Sequence, residues 1–144
     1  MDWVMRKVPL GQTVHKIDYH PTMQVYGALV SEPKQVRLRN EEGTFMDGEE
    51  DEEREAGQFL PIVDQYSLIM ISPVTWETVD RVDFQEYEQG LSLHCSVLES
   101  KQTSSGTKHF MAVGTGYLRG EDTAMRGSVS ALFFFSFLAY RLNV

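Results

Sequence analysis

The strongest constraint on this chain is a rhythm of short apolar runs, each closed within a few positions by turn-forming residues. Thr13–Tyr19 sets Val14, Ile17 and Tyr19 among polar residues and ends at His20-Pro21, a turn signal. Val25–Val30 follows after a gap of hairpin length and closes at Ser31-Glu32-Pro33. Ser67–Ile71 stops at Ser72-Pro73, and Thr78–Phe84 places Val79 and Val82 among charges just after Trp76. The pattern then restarts. Leu91–Leu98 alternates with a period of two, which predicts Leu91, Leu93, Cys95 and Val97 on one face. Phe110–Val113 runs into Gly114-Thr115-Gly116, and Ser128–Phe135 reads as the next strand. No segment carries a capped helical stripe, so the expected class is all-β. Strands at this spacing form a meander, as in a sandwich or a propeller blade. Four strands from Thr13 to Phe84 make one blade-sized sheet, and those from Leu91 onward begin a second.

Charge is distributed unevenly. The 144 residues carry a formal charge of −8, which argues against a general phosphate-backbone binder. Nine acidic residues and one basic residue, Arg54, fall between Glu41 and Glu55. The rest of the chain therefore holds twelve of each sign, 21 less nine and 13 less one. From Glu32 to Gln58 there is no apolar periodicity, and like charges at this density resist compaction. The expectation is an acidic insert, residues 32–58, in a surface loop that tolerates it; a partner for it would have to be basic.

With 42% hydrophobic and 24% charged residues, the composition excludes wholesale disorder. The lone Cys95 cannot form an internal disulfide. Met1–Leu10 lacks the apolar core of a signal peptide. The longest apolar run, Val129–Ala139, is short of the roughly 20 residues a bilayer span needs. The plain expectation is a soluble intracellular chain that makes no membrane contact.

Candidate chemistry is sparse. Gly114-Thr115-Gly116-Tyr117-Leu118-Arg119-Gly120 follows a predicted strand but lacks the Gly-Lys-Ser/Thr ending of a phosphate loop. It also misses the dinucleotide fingerprint by one residue, and reads as a glycine-rich loop between strands. Lys108, Arg119 and Arg126 are candidate contacts to phosphate or RNA, placed together at one loop end. The four histidines and Cys95 show no ligand quartet with the spacing of a zinc site, and Cys95 reads as a small core residue. The acidic pairs Asp80 with Asp83 and Glu86 with Glu88 read as solvated faces, because a catalytic pair needs a cleft that perturbs its pKa. The expectation is therefore no enzyme, no catalytic residue, no metal, no cofactor and no small-molecule substrate. Pro73 cannot donate to a ladder, so Ser72-Pro73-Val74-Thr75 reads as a turn, and Trp76 beyond it as a large apolar cover for the sheet edge.

These turn residues carry a family resemblance. Ile71-Ser72-Pro73-Val74-Thr75-Trp76-Glu77, Ala112-Val113-Gly114-Thr115-Gly116, Arg119-Gly120-Glu121-Asp122 and Arg126-Gly127 occur in order. They are preceded by Val8-Pro9-Leu10-Gly11 and by Val14-His15-Lys16-Ile17-Asp18-Tyr19-His20-Pro21. Together, from Trp3 to Gly127, they resemble the large propeller-scaffold subunit of the cleavage and polyadenylation specificity factor in its fungal-like form. The resemblance implies a fragment of that subunit's C-terminal third. It also implies a partial β-propeller of about one and a half four-stranded antiparallel blades. The expected layout is a single segment, 1–144: a first blade at 13–84, an incomplete second at 91–135, and a divergent tail at 128–144.

By the same resemblance the function is non-catalytic scaffolding in pre-mRNA 3′-end processing in the nucleus. The partners would be the other subunits of the factor and pre-mRNA. The alternative is a nucleic-acid-binding propeller module of the related damaged-DNA-binding or splicing factor 3b class. Ser72, Pro73, Trp76, Gly114, Thr115, Gly120, Glu121, Asp122 and Gly127 are the motif positions, structural in role. After Gly127 the sequence departs from the family pattern. Ser128–Leu132 runs into Phe133-Phe134-Phe135-Ser136-Phe137, whose pyrimidine-rich codons suit a translated intron; a buried strand in a divergent copy is the other reading.

Overall fold

A computed structural model of the protein describes residues 2–36, 60–118, 127–133 and 138–143, with backbone alone from Ser130 onward. Among these residues every regular element is a strand. Sheet 1 comprises β1 (Thr13–His20), β2 (Val25–Gln35), β3 (Ile62–Ile71) and β4 (Thr78–Asp83), paired antiparallel in chain order. Sheet 2 comprises β5 (Glu88–Glu99), β6 (Thr107–Tyr117), β7 (Gly127–Phe133) and β8 (Leu138–Asn143), paired in the same way. The all-β, blade-like reading is correct, and these are two consecutive sheets of a partial propeller. The second has one strand more than its apolar pattern indicated: β8 pairs with β7 from Ser128↔Asn143 to Phe133↔Leu138, completing a four-stranded sheet. Arg141 and Asn143 interrupt the apolar run there, which hides the strand from a pattern search. The acidic segment lies outside the described residues, but its flanks are joined, with the Val36 N–H donating to the Pro61 carbonyl at 3.0 Å. Val36 and Pro61, which flank it, meet at one end of the β2–β3 pair.

The central strands of sheet 1 are apolar on both faces, so both faces need cover. Toward sheet 2 point Val25, Leu29, Tyr66, Leu68 and Met70, which join Met111 and Val113 of β6 in one core. Away from sheet 2 point Ala28, Val30, Ile69 and Ile71, covered by Leu10, Tyr26 and Trp76. The sheets meet by reciprocal insertion. Gly27 on β2 lies under the end of the Met111 side chain, and Gly90 on β5 lies under Leu29. A Cβ on Gly90 would meet three carbons of Leu29 at 2.5, 2.7 and 3.0 Å. Each sheet thus offers one hole and one knob. Fully burying side chains of this size stabilises by about 1.5–3 kcal/mol each.

The connection Phe84–Tyr87 carries the chain from sheet 1 into β5, which then crosses the inner face of sheet 1. Near its start, the Phe84 N–H donates to the Tyr66 carbonyl on β3 at 3.0 Å. Midway, Gly90 meets Leu29 of β2; further on, the Cys95 N–H donates to Asp18 Oδ2 of β1 at 2.7 Å. β5 is the edge strand of its sheet, so this carboxylate occupies a backbone donor that the ladder leaves open.

β2 runs on through Pro33 to Gln35, so residues 32–35, read as the closing turn and the start of the acidic insert, are strand paired with β3. β5 and β1 differ from their pattern in the face they bury. The register of β5 slips between Gly90 and Ser92, leaving Leu91 as the bulged residue and 54% exposed. Leu93 and Cys95 pack inward as the alternation predicts, but Val97 runs past the edge of the core and stays 56% exposed. In β1 it is the polar set that faces sheet 2, through Asp18 and His20. Ile17 and Tyr19 pair with Ala28 and Tyr26 on the opposite face.

The knob-and-hole packing makes a graded prediction. Gly90→Ala should destabilise by about 1–3 kcal/mol, because a branched, fully buried Leu29 cannot swing away. Gly27→Ala should cost less, since only the flexible tip of Met111 must move. Denaturant midpoints of the two variants provide the comparison, and Gly90→Ala combined with Leu29→Ala should cost less than the sum of the single changes.

Candidate functional site

The motif residues lie in two places, and in both their polar groups serve the backbone. The first is the β3–β4 turn. Ser72 N–H donates to the Glu77 carbonyl at 3.0 Å, and Trp76 N–H donates to the Ser72 carbonyl at 2.8 Å. Ser72 Oγ accepts from the Val74 and Thr75 amides at 3.3 and 3.5 Å, and Thr75 Oγ1 accepts from Glu77 N–H at 3.4 Å. Pro73, with no amide hydrogen, occupies a position where none is needed. Trp76 adopts φ of 63°, a left-handed conformation that costs a non-glycine residue about 1 kcal/mol or more. The indole stacks on Tyr26 with centroids 6.2 Å apart and planes 14° from parallel. The sequence placed Trp76 over the sheet edge; it lies instead on the outer face, over the cluster of Ala28, Val30, Ile69 and Ile71.

The second place is the start of sheet 2. The sequence pattern marks Gly114-Thr115-Gly116-Tyr117 as the beginning of a loop, but all four residues belong to β6. Gly114, and Gly127 on the neighbouring β7, answer close approaches across the sheet. A Cβ on Gly114 would meet Ser92 Oγ at 2.5 Å, and one on Gly127 would meet the Thr115 carbonyl oxygen at 3.1 Å. Thr115, 4% exposed, donates its hydroxyl to Glu88 Oε1 at 2.7 Å and accepts from Ser128 Oγ at the same distance. Glu88 Oε2 accepts the Gln85 amide at 3.0 Å. A buried relay of Ser128, Thr115 and Glu88 thus ties β7, β6 and β5 together. Glu88 is only 3% exposed, which corrects its reading as part of a solvated pair; Asp80 and Asp83 are exposed as that reading expected. Its partner hydroxyls lie 27 and 40 residues away, so local sequence carries no sign of the burial.

Of the candidate phosphate contacts, Lys108 alone lies among the described residues. Lys108 opens β6 and donates from Nζ to Gln102 Oε1 at 3.3 Å. Arg119 and Arg126 lie outside the described residues, as do Gly120, Glu121 and Asp122. The residues that bound their segment, Leu118 and Gly127, sit at the opposite end of β6, about 30 Å from Lys108 at strand spacing. Around Cys95, burial and then the neighbouring Asp18 charge push the thiol up from its ordinary value, which suits packing and not nucleophilic attack. On the outer face Arg81 donates from Nε to Asp83 Oδ1 at 2.6 Å and from Nη2 to Glu32 Oε1 at 3.1 Å. Hydrogen bonds from Arg81 and then Ser67 hold the Asp83 carboxyl below its usual value, against a desolvation that raises it.

Sequence reasoning read His20 as part of a turn signal and set it aside as a zinc ligand, and it missed the burial of this side chain. The side chain has no exposed surface and bonds at 3.1 Å to the backbone carbonyl of His109, across the gap between sheets. Nothing near it in the sequence distinguishes it from a solvated turn histidine.

Comparison with known proteins places this arrangement. Residues 65–136, half of the chain, match the family model described as the CPSF A subunit region. Protein cft1 of Schizosaccharomyces pombe is 36% identical over 126 residues, covering 88% of this chain and 8% of that protein. Cleavage and polyadenylation specificity factor subunit 1 of Drosophila melanogaster is 31% identical over 130 residues, covering 88% of this chain and 9% of its own. The Arabidopsis thaliana protein of that name is 28% identical over 144 aligned positions, with 88% and 10% covered. The chain therefore spans about a tenth or less of the length of these relatives. The family match runs through residue 136, so the stretch after Gly127, read as a departure, lies inside the matched span that far.

The relay gives a direct test. Thr115→Val should cost about 1–3 kcal/mol, because it removes the hydroxyl donor to a buried carboxylate. Thr115→Ser should retain most of that stability. Thermal melts of the two variants against the parent chain distinguish a hydrogen-bonding role from side-chain volume alone.

Proposed function

The chain belongs to the CPSF A subunit region family, and from that premise we propose that it is a non-catalytic scaffold segment of the machinery for pre-mRNA 3′-end cleavage and polyadenylation. The observation that carries this reading is the employment of the motif residues. Ser72 and Trp76 form a turn, and Thr115 closes a sheet through Glu88 and Ser128. Polar groups engaged in this way maintain shape. What the segment contributes is then a rigid pair of sheets acting as one unit, within the nucleus, and its partners are the other subunits of the factor. The names of the relatives favour this branch over the damaged-DNA-binding and splicing factor 3b alternatives. An affinity-tagged form of the full reading frame that encodes this chain should recover the other subunits of the cleavage and polyadenylation factor. Recovery of none of them would overturn the assignment.

RNA contact is the finer part of the proposal. It rests on Arg119 and Arg126, whose segment is bounded by Leu118 and Gly127 at one end of sheet 2. Lys108 belongs to the far end of β6 and would touch RNA separately. Arg119→Ala with Arg126→Ala should weaken RNA binding and lower the salt slope by about two, one for each arginine that no longer meets a phosphate. An affinity unchanged by the double substitution would remove RNA contact from the proposal while leaving the scaffold role standing.

A further inference from the structure

We propose that the contact between His20 and His109 is a proton-sensitive latch on the junction of the two sheets, closed while His20 is neutral and released when its ring takes a second proton. His20 ends β1 and is wholly buried. The chemistry of its partners fixes its tautomer. Met23 N–H can only donate, and it reaches Nδ1 at 3.2 Å, so Nδ1 carries no hydrogen. The His109 carbonyl can only accept, and it lies 3.1 Å from Nε2, so Nε2 carries the hydrogen. A second proton would have to sit on Nδ1, pointing at the Met23 N–H. Two donors would then face each other in a site closed to water, and the ring would carry a charge with no solvent around it. The ring is relieved by turning out of the junction, and that motion breaks its tie to β6.

Among the described residues, no carboxylate bonds to that ring. From β6 the facing group is His109, whose ring lies 6.0 Å away edge-on and whose Nδ1 sits 2.9 Å from Thr22 Oγ1. From β2 the paired residue is the apolar Val25, and the turn contributes uncharged Pro21, Thr22 and Met23. Asp18 lies two residues earlier on β1. Its carboxylate accepts from Tyr19 N–H at 2.8 Å and Cys95 N–H at 2.7 Å, and lies 3.4 Å from His94 Nδ1 on β5. Burial accordingly holds His20 below the ordinary imidazole value of 6.5; the His109 ring adds to this, while the bond to the His109 carbonyl opposes it. The sign follows. Stabilisation from a neutral buried His20 is complete above 6.5 and declines as pH falls below it, until the folded-state ring itself protonates. One proton shifts the open-to-closed ratio by at most about tenfold per pH unit. His94 is exposed on β5 and meets Asp18, not the His20 ring, so it serves as the control.

The test is amide hydrogen exchange of the whole 144-residue chain between about pH 7.5 and about pH 5, corrected for intrinsic rates. Residues 20–25 and 107–111 should lose protection several-fold on acidification while the centres of β2 and β3 hold. His20→Gln should abolish that pH dependence, and His94→Gln should leave it in place. Retention of the acid-induced loss in His20→Gln overturns the latch. Nitrogen-15 spectra of the unsubstituted chain decide the matter even where His20→Gln does not fold. An Nε2–H ring with a midpoint below 6.5 supports the latch, and an Nδ1–H ring or a midpoint at or above 6.5 overturns it.

Discussion

The insertion of Leu29 over Gly90 and of Met111 over Gly27 is the contact on which the rest of this structure depends. Either sheet alone would leave an apolar face in water, and a single four-stranded meander has no second layer to shield it. The reciprocal placement also fixes how the sheets sit. A knob on each and a hole on each permit little sliding, because moving one sheet by a strand position would drive Leu29 against a residue that has a Cβ. Large side chains could have met at that plane, but the backbones would then stand further apart. Glycine at both contact points lets β5 come close enough to sheet 1 for its edge amide to reach Asp18.

Around that apolar centre the junction is bounded by polar ties, and breaking them has unequal costs. The Asp18 carboxylate is partly solvated, with neighbours that are backbone amides and an exposed histidine. Water can replace those partners, so the cost is moderate. His20 is wholly buried, and water cannot reach its nitrogens without the junction opening. The Glu88–Thr115–Ser128 relay is likewise buried, but it lies within sheet 2 and joins strands of that sheet. The buried His20 thus joins the two sheets, while the relay joins strands within one of them.

How much of this could be read from the sequence follows from how local each signal is. Strand rhythm is local, so seven of the eight strands stand out by pattern alone; β8 does not, because Arg141 and Asn143 break its run. The face a strand buries is less local. The alternation of β5 predicted Leu91 inside, and a bulge that depends on pairing with β6 put it outside. In β1 the apolar residues Ile17 and Tyr19 are the obvious core set, yet the opposite face turns toward sheet 2, carrying Asp18 and His20. Burial of Glu88 and His20 is not local at all, since their partners stand 27 and 89 residues away. Gly114 of β6 signalled a loop for the same reason: the approach of Ser92 to it, like that of Thr115 to Gly127 of β7, exists only once the sheet has formed.

The outer face of sheet 1 bears the consequence of that orientation of β1. Val14, Ile17 and Tyr19 are between 41% and 62% exposed there, beside the buried cluster that Trp76 covers. A lone edge strand of an isolated protein would normally place its polar residues outward. β1 does the reverse, and it does so because Asp18 and His20 are needed on the inner side to hold sheet 2. The same alternation that supplies the polar ties therefore obliges an apolar stripe on the other face. That stripe is not a flaw in an otherwise sufficient fold. It is the second half of one pattern: the residues that alternate with Asp18 and His20 along β1 are the ones that must face away from sheet 2.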